Sequence, residues 1–397
     1  METSKREIVK KLSNKKIVLG NGFDLFCGLK TSYNDFFKSQ SENYRCFESL
    51  VSSFHPTTLG RGYSFDMLTN INKVITNTIW DLIFYLSSQK KTEIDWCNVE
   101  LIISNTFLNI GSIKWNNILN IIQKKVIMSM NDHKYEYICA KFLECKYPIN
   151  NLITEKEFYD LIYKELNIFE CKFGKYIKNQ QEQNEEYINK AINTFSKFTN
   201  YAKQIVSIDT FNYSNISKHP KWCFVPMINI NGTVDSPIFG YFSSSIDPLK
   251  YEHRFTKSHR KTLVLFEKEE LLEGEPFENL IVFGHSLNEQ DYNYFFPLFD
   301  DLDLNNPKCS GKLIIAFTIY DSSKKNEIIE NLTKKLIKMI YEYEKSSGSM
   351  GNRLYDKLLY KNRIIFYEID DTEEDISEYF DKHCFVFNDK TNTFDDF

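Results

Sequence analysis

A turn with two glycines follows the first β-branched run of the chain. Residues 16–20 read KIVLG, which is typical of a buried parallel strand, and the sequence continues as NGFDL. Gly20 and Gly22 permit a sharp turn and bring backbone N–H groups close to a phosphate. Leu25 stands where a complete dinucleotide-binding fingerprint has its third glycine. The segment predicts a nucleotide-binding turn, which the polar Asp24 beside it favours, with a plain tight turn as the alternative.

Polar residues also follow later predicted strands. Asn212 comes directly after one of them, and its amide, which both donates and accepts, suits a ribose hydroxyl or a positioned water. Asn231 ends another strand, and His285 follows a glycine that permits close approach of a ligand. A capping or turn role for Asn212 and a structural role for His285 are the alternatives.

Two further carboxylates are candidates for acid–base chemistry. Asp291 follows the His285 loop, where it either takes part in a site or caps the next helix. Glu100 lies four residues after Trp96, on the same face of a predicted helix, and an apolar neighbour raises the pKa of a carboxyl. Core packing with a buried hydrogen bond is the alternative for this pair, so Glu100 is a secondary candidate.

The predicted strands lie mainly in the second half of the chain. They are KIVLG (16–20), QIVSID (204–209), CFVPMINI (223–230), PIFGYF (237–242), NLIVFG (279–284), KLIIAF (312–317) and RIIFYEI (363–369). Residues 34–200 instead show helical apolar spacing, and Thr154 with Glu157 forms a capping-box pattern. We expect an α/β fold with a mainly parallel, Rossmann-like sheet and a large helical insertion. The expected parts are 1–33 (first strand and nucleotide-binding turn), 34–200 (helical insertion) and 201–397 (remainder of the core with C-terminal helices).

The strand-end loops are expected to line one pocket, because the carboxyl ends of parallel strands meet at one edge of the sheet. The predicted catalytic residues are Asp24, Asn212, His285 and Asp291. The predicted nucleotide-binding residues are Gly20, Asn21, Gly22, Phe23, Asn231, Gly232, Gly284 and Ser286. No metal is predicted, because no acidic cluster with a recognisable metal-binding spacing occurs in the sequence.

Composition disfavours several classes of protein. A formal charge of -5, from 49 basic and 54 acidic residues, gives no overall field that would hold a nucleic acid. No apolar stretch approaches the roughly 18 residues of a membrane span, and the N-terminus lacks a signal-peptide core. The nine cysteines contain no CxxC pair and are typical of free thiols. We expect a cytoplasmic protein that contacts no membrane.

Five segments, taken in order, resemble the signature blocks of the AbiH family of bacterial phage abortive-infection proteins. They are GNGFDLFCGLKTSYNDFF (20–37), DWCNVE (95–100), FNYSN (211–215), NGTVDSPIFGY (231–241) and FGHSLNEQDYNYF (283–295). The family is similar to the sirtuin-like NAD-binding fold. By that likeness Gly20 and Gly22 face the phosphates and Asn212 faces the ribose. Asn231 stands where the histidine of a His-Gly pair is expected, and an amide cannot accept a proton at neutral pH.

The resemblance implies a phage-defence effector that binds NAD or a related nucleotide and cleaves its nicotinamide–ribose bond. The missing histidine leaves two alternatives open. Either Asp24, His285 or Asp291 acts as the base, or the protein is a non-catalytic nucleotide-sensing subunit that acts through a partner. That partner would be a second copy of the chain or another defence protein. A nucleic-acid effector is the third alternative, which the net charge disfavours.

Overall fold

The fold is known from a computed structural model. The residues that it describes are 14–54, 65–89, 99–108, 110–111, 113–125, 129–198, 205–214, 216, 225–242, 247–265, 276–348 and 353–369. They form two compact units. Unit 1 draws on 1–29, 180–232 and 270–397, and unit 2 on 30–179 and 233–269. The expected division of the chain at residues 33 and 200 stays a prediction.

A parallel sheet forms the centre of unit 1. The strands of the described residues are β1 (Lys15–Leu19), β2 (Ile205–Thr210), β3 (Met227–Asn229), β4 (Gly232–Thr233), β5 (Ser236–Pro237), β6 (Asn279–Phe283), β7 (Lys312–Phe317) and β8 (Ile364–Glu368). Six of these strands form one sheet in the order β3-β2-β1-β6-β7-β8, and all neighbours in it are parallel. β4 and β5 form a separate two-stranded sheet. The order of the six-stranded sheet is that of a doubly wound Rossmann-like fold, so the predicted fold class is confirmed.

Helices make up most of the rest of the described chain. They are α1 (Asn21–Phe26), α2 (Tyr33–Ser39), α3 (Ser41–Ser52), α4 (Phe65–Val74), α5 (Ile79–Ser88), α6 (Val99–Phe107), α7 (Trp115–Ile122), α8 (Lys134–Lys146), α9 (Glu155–Glu182), α10 (Tyr187–Phe198), α11 (Lys257–Leu265), α12 (Tyr292–Asp301), α13 (Lys325–Ser346) and α14 (Leu354–Tyr360). Among the described residues, no helix is both long and apolar enough to span a membrane.

The sheet of unit 1 has an apolar layer on each face, because side chains alternate along its strands. Ile17 and Leu19 belong to a buried cluster that includes residues of α1 and α10. Val18, between them, belongs to a second cluster with residues of α12, α13 and α14. Strands that are buried on both faces read as continuous apolar runs, which is why the sequence pattern located them.

The direction of chain progression reverses between β1 and β6. From β1 the sheet continues to β2 and β3 on one side, and from β6 to β7 and β8 on the other. β1 and β6 pair in register from Lys15 opposite Asn279 to Leu19 opposite Phe283. Gly20 and Gly284 therefore leave adjacent strands at the same height. In open α/β sheets, ligands bind at the carboxyl ends of the strands at such a switch point.

Unit 2 is helical around an aromatic core. The Trp80 ring lies 5.1 Å from that of Trp115, and the Phe107 ring lies 4.4 Å from that of Phe255, measured between centroids. The predicted capping box is present before α9: the N–H of Thr154 donates to Glu157 Oε2 at 2.8 Å, and the N–H of Glu157 to Thr154 Oγ1 at 3.2 Å. These bonds satisfy N–H groups that the first turn of a helix leaves without partners.

The prediction of PIFGYF (237–242) as a strand of the main sheet is wrong. Only Pro237 belongs to a strand, β5, and Tyr241 makes an isolated parallel bridge with Thr256. Phe239 is fully buried in unit 2, and its N–H donates to Glu170 Oε1 at 2.6 Å. The run is apolar because it packs in the core of unit 2, a cause that apolarity alone does not distinguish from sheet formation.

Candidate functional site

The β1–α1 turn packs directly on the loop after β6. A Cβ placed on Gly20 would lie 2.4 Å from His285 Cα, and one placed on Gly22 would lie 2.8 Å from Gly284 Cα. Gly284 has a φ of +64°, in the left-handed region that favours glycine. The three glycines are therefore needed for the close contact of two backbone segments, whatever else they bind.

Three amide groups of this turn are already used within the protein. The N–H of Gly20 donates to Phe283 O at 2.9 Å, and that of Gly22 to Gly284 O at 2.8 Å. The N–H of Phe23 donates to Gly20 O at 3.0 Å. Phe23 itself is fully buried, with its ring stacked on that of Phe195 at 5.2 Å. These N–H groups can meet a phosphate only if their present bonds break.

Asp24 is the buried acid of this edge, with 1% of its surface exposed. Its Oδ1 accepts hydrogen bonds from the hydroxyls of Tyr187 at 2.7 Å and Ser214 at 2.9 Å. Its Oδ2 is buried and has no hydrogen-bond partner among the described residues. Burial raises the pKa of Asp24 to about 6, against the lowering effect of the hydrogen bonds from Tyr187 and Ser214 and of the neighbouring Asn212 amide.

The asparagines after β2 and β3 join the neighbouring loops. Asn212 is buried, and its Nδ2 donates to Gly20 O at 3.0 Å, which links the ends of β1 and β2. Asn231 is also buried, and its Nδ2 donates to Phe211 O at 3.2 Å. That bond fixes the orientation of the Asn231 amide. Its Oδ1 is buried and accepts no hydrogen bond within the described part of the chain.

His285 is held on both sides of its ring. Its Nδ1 accepts the N–H of Leu287 at 2.9 Å, and its Nε2 lies 3.5 Å from Asp291 Oδ2. The ring centroid lies 4.4 Å from that of Phe211. A neutral His285 with this contact at Nδ1 carries its proton on Nε2, facing Asp291. The lone pair of Nδ1 then accepts the Leu287 N–H, so the His285 ring in this arrangement anchors the loop after β6.

The structure brings most of the predicted site residues to one edge of unit 1. Contacts link Gly20, Gly22, Gly284 and His285, and the Asn212 and Asp24 side chains meet at the same turn. Two of the predicted nucleotide-binding residues are not part of this group. The Phe23 side chain is buried in the core. Ser286 is exposed, and its carbonyl oxygen accepts a hydrogen bond from Lys335 Nζ at 3.1 Å. Gly232, with a φ of +82°, turns the chain after Asn231.

The secondary acid–base candidate belongs to unit 2. Glu100 pairs with the buried ammonium group of Lys257, with Nζ 2.8 Å from Oε2. Trp96, its predicted neighbour, lies outside the described residues. The ion pair with Lys257 explains why Glu100 is buried, because each charge offsets the desolvation of the other.

Sequence reasoning missed Tyr187 as a member of the site. This residue begins α10, which the pattern identified only as a helix in 34–200. Ser214 lies in the FNYSN segment, but no local signal indicated that its hydroxyl binds Asp24. Tyr187 and Asp24 are 163 positions apart, and contacts over such a separation leave no trace in local spacing.

The parallel sheet, its switch point and the polar loops gathered there define a Rossmann-like α/β protein. The chain belongs to the AbiH family: the family model described as "Bacteriophage abortive infection AbiH" matches residues 17–310. The matched range contains the residues 20–37, 211–215 and 283–295 that carry the resemblance in sequence. No curated protein and no solved structure matches the chain. Membership of this family implies a role in abortive infection by bacteriophage.

Proposed function

We propose that this protein is an abortive-infection effector that binds NAD or a related nucleotide and hydrolyses its nicotinamide–ribose bond. The observation that carries the proposal is Asp24 Oδ2, a buried carboxylate oxygen without a hydrogen-bond partner among the described residues, beside the switch point of the sheet. Buried acceptors are costly unless a partner satisfies them, so such an atom marks a place for a donor or a cation.

A fixed carboxylate can assist the cleavage of the nicotinamide–ribose bond. As the bond between ribose C1′ and the nicotinamide nitrogen breaks, its electron pair neutralises the positive ring, and positive charge develops on the ribose. A carboxylate held nearby stabilises that charge without reorganisation. Water adds to C1′ and releases a proton, so the products are nicotinamide, ADP-ribose and H⁺. With a pKa of about 6, Asp24 is mainly ionised at neutral pH.

The residues present fit one end of a dinucleotide better than the other. Asp24 Oδ2 and Asn231 Oδ1 are both buried acceptors, which suit hydroxyl or amide donors and a cationic ring. The N–H groups of Gly20 and Gly22 donate to protein carbonyls, so they do not suit a phosphate in this arrangement. In the proposal, the ribose and nicotinamide lie at the β1 turn, and the phosphates use other donors. The sirtuin-like likeness supports the ligand class.

A second candidate function is nucleotide sensing without turnover. It is favoured by the chemistry of two described residues at the site, neither of which is a ready proton acceptor: Asn231 is an amide, and His285 Nδ1 accepts a backbone N–H. Such a subunit would bind the nucleotide and signal through a partner protein or a second copy of the chain. The two candidates share the binding site and differ only in whether the bond breaks.

The experiment that separates them uses the purified protein and NAD. If the protein hydrolyses NAD, liquid chromatography should show nicotinamide and ADP-ribose in equal amounts. Calorimetry with NAD is run in parallel. Binding without any nicotinamide release, with and without phage lysate, would favour the sensing role, and neither binding nor release would contradict both candidates.

A further inference from the structure

A cleft lies along the exposed side of α9 in unit 2. Its volume is about 570 Å³, and the residues that line it include Lys164, Ile168, Cys171, Lys172 and Lys175. Positions with this spacing share one face of a helix. Lys164 and Lys175 are separated by about 16 Å along the helix axis, given a rise of about 1.5 Å per residue. The cleft is therefore elongated and suits an extended ligand or a second helix.

The exposed surface of α9 is basic between residues 161 and 181. The two acids in that range, Glu165 and Glu170, are buried, and each is paired with a basic side chain. Lys164 and Lys175 are exposed, and neither forms an ion pair with a described residue. No carboxylate of the described chain lines the cleft. A negatively charged ligand therefore has favourable partners here, although the formal charge of the whole chain is -5.

The middle of the cleft is partly apolar. Ile168 is 42% exposed, and the charge of Lys172 is offset by Asp81, with Nζ 3.0 Å from Oδ1. Tyr176, an aromatic residue of the lining, is half-buried, and its hydroxyl donates to Lys30 O at 2.8 Å. Single-stranded nucleic acids stack their bases on exposed aromatic rings, which this lining does not offer among the described residues. An apolar centre between two unpaired lysines instead complements a peptide that carries both apolar and acidic side chains.

We propose that the α9 cleft is the docking site for an acidic amphipathic helix of a partner protein. An apolar side chain of the partner covers Ile168, and carboxylates on either side of it pair with Lys164 and Lys175. An amphipathic helix lying in a groove is a recurring mode of protein recognition, and opposite charges at the rim fix its register. The cleft belongs to unit 2, so the inference is independent of the proposed hydrolysis, which concerns residues of unit 1.

The test measures fluorescence anisotropy of two labelled probes with the purified protein. One probe is a helical peptide of about 16 residues, long enough to contact both lysines, with leucine on one face and glutamate on the others. The other is a single-stranded oligonucleotide of thymidine with a similar charge. Wild type should bind the peptide, and the double variant Lys164→Glu/Lys175→Glu should weaken this binding at least about tenfold, because attraction becomes repulsion.

Two further variants separate the apolar contribution from the effect of charge. Ile168→Gln should weaken peptide binding about fivefold, because the exposed part of the side chain no longer contributes apolar area. Lys156→Glu is the matched control: Lys156 is exposed in the first turn of α9 and does not line the cleft. This variant should bind the peptide as wild type does.

The reactivity of Cys171 locates the bound peptide. This thiol is exposed in the cleft, so the peptide should slow its alkylation, followed by mass spectrometry, and leave that of Cys309 in unit 1 unchanged. No binding of the peptide to wild type, equal binding by the double variant, or binding without protection of Cys171 overturns the proposal. Tighter, lysine-dependent binding of the oligonucleotide also overturns it and assigns the cleft to nucleic acid. Nicotinamide release by the double variant at the wild-type rate supports the independence of the two sites.

Discussion

The hydroxyl of Tyr187 donates a hydrogen bond of 2.7 Å to Oδ1 of Asp24, although 163 positions separate the two residues in the sequence. Ser214 donates to the same oxygen at 2.9 Å, so Oδ1 is satisfied within the protein and Oδ2 is left as the acceptor. Two donors on one oxygen also fix the orientation of the carboxyl group. The partly satisfied carboxylate connects α10 to the β1–α1 turn.

The first prediction concerns the pH dependence of nicotinamide release. If ionised Asp24 stabilises the developing cation, kcat should rise with pH through the Asp24 pKa of about 6 and level off above it. In Tyr187→Phe the midpoint should move to higher pH, because the Tyr187 hydrogen bond favours the ionised form and lowers this pKa. Steady-state rates between pH 5 and pH 8 measure both midpoints.

The control for this shift is Tyr341→Phe, on the exposed face of α13. It should leave the midpoint where it is in wild type. A Tyr187→Phe profile that is lower at every pH but keeps the wild-type midpoint would contradict the role of Tyr187 in setting the Asp24 pKa. Such a result would assign Tyr187 to packing alone.

The second prediction concerns stability. A carboxyl whose pKa is raised by folding contributes stability below its unfolded pKa, and this contribution is lost as pH rises through the folded pKa. For Asp24, with a pKa raised from 3.8 to about 6, the loss falls mainly between pH 4 and pH 6. The side chain of the Asp24→Asn variant does not titrate. The free energy of unfolding of this variant, minus that of wild type, should therefore increase by about 1 kcal/mol from pH 5 to pH 8.

Urea unfolding at the two pH values measures this change. The comparison of one variant with wild type at both pH values removes any constant cost of the amide, which can differ in packing from the carboxyl. A relative stability that is the same at pH 5 and pH 8 would show that Asp24 has an ordinary pKa in the folded protein.

The third prediction separates the steric role of the glycines from their conformational role. Gly284 and Gly348 both have positive φ, +64° and +71°, but a Cβ on Gly284 would lie 2.4 Å from Phe23 N, whereas one on Gly348 meets nothing within 4 Å. Gly348→Ala should cost about 1 kcal/mol, the strain of a left-handed residue. Gly284→Ala should cost about 3 kcal/mol or more, because the clash involves backbone. Thermal unfolding of both variants gives the comparison.

Similar losses of stability in the two variants would mean that the β1 and β6 loops move apart at little cost. The amides of Gly20 and Gly22 would then become available to a phosphate, and the proposed orientation of the nucleotide would have to be reversed. The sequence-based expectation that these glycines face the phosphates is therefore tested by the same measurement.

The fourth prediction concerns His285. Asparagine can present a side-chain oxygen to the Leu287 N–H that His285 Nδ1 now accepts. If His285 positions the β6 loop, His285→Asn should retain kcat within about threefold, and His285→Ala should lose about a hundredfold through misplacement of the loop. If His285 transfers a proton, both variants lose activity alike, because neither side chain titrates near neutral pH.

The sheet of unit 1 was predictable because its strands are buried on both faces, which leaves continuous apolar runs such as those at β1, β6 and β7. The grouping of Gly20, Asn212 and His285 was predictable for a related reason: loops at the carboxyl ends of parallel strands converge. The use of the Gly20 and Gly22 amides was not, because the same residues suit a phosphate and a close backbone contact. PIFGYF was assigned wrongly because local apolarity does not report which core a segment enters.

Nicotinamide release from NAD at pH 7.5, measured with matched aspartate variants, decides whether the Asp24 carboxylate acts on the nicotinamide–ribose bond. Asp209 is also buried at the end of a strand, but its carboxylate is paired with Lys16 at 2.8 Å. Each variant is first shown to be folded by circular dichroism. We expect wild type and Asp209→Asn to release nicotinamide, and we expect no release from Asp24→Asn. Release by folded Asp24→Asn at the wild-type rate would show that the Asp24 carboxylate has no role in breaking the bond.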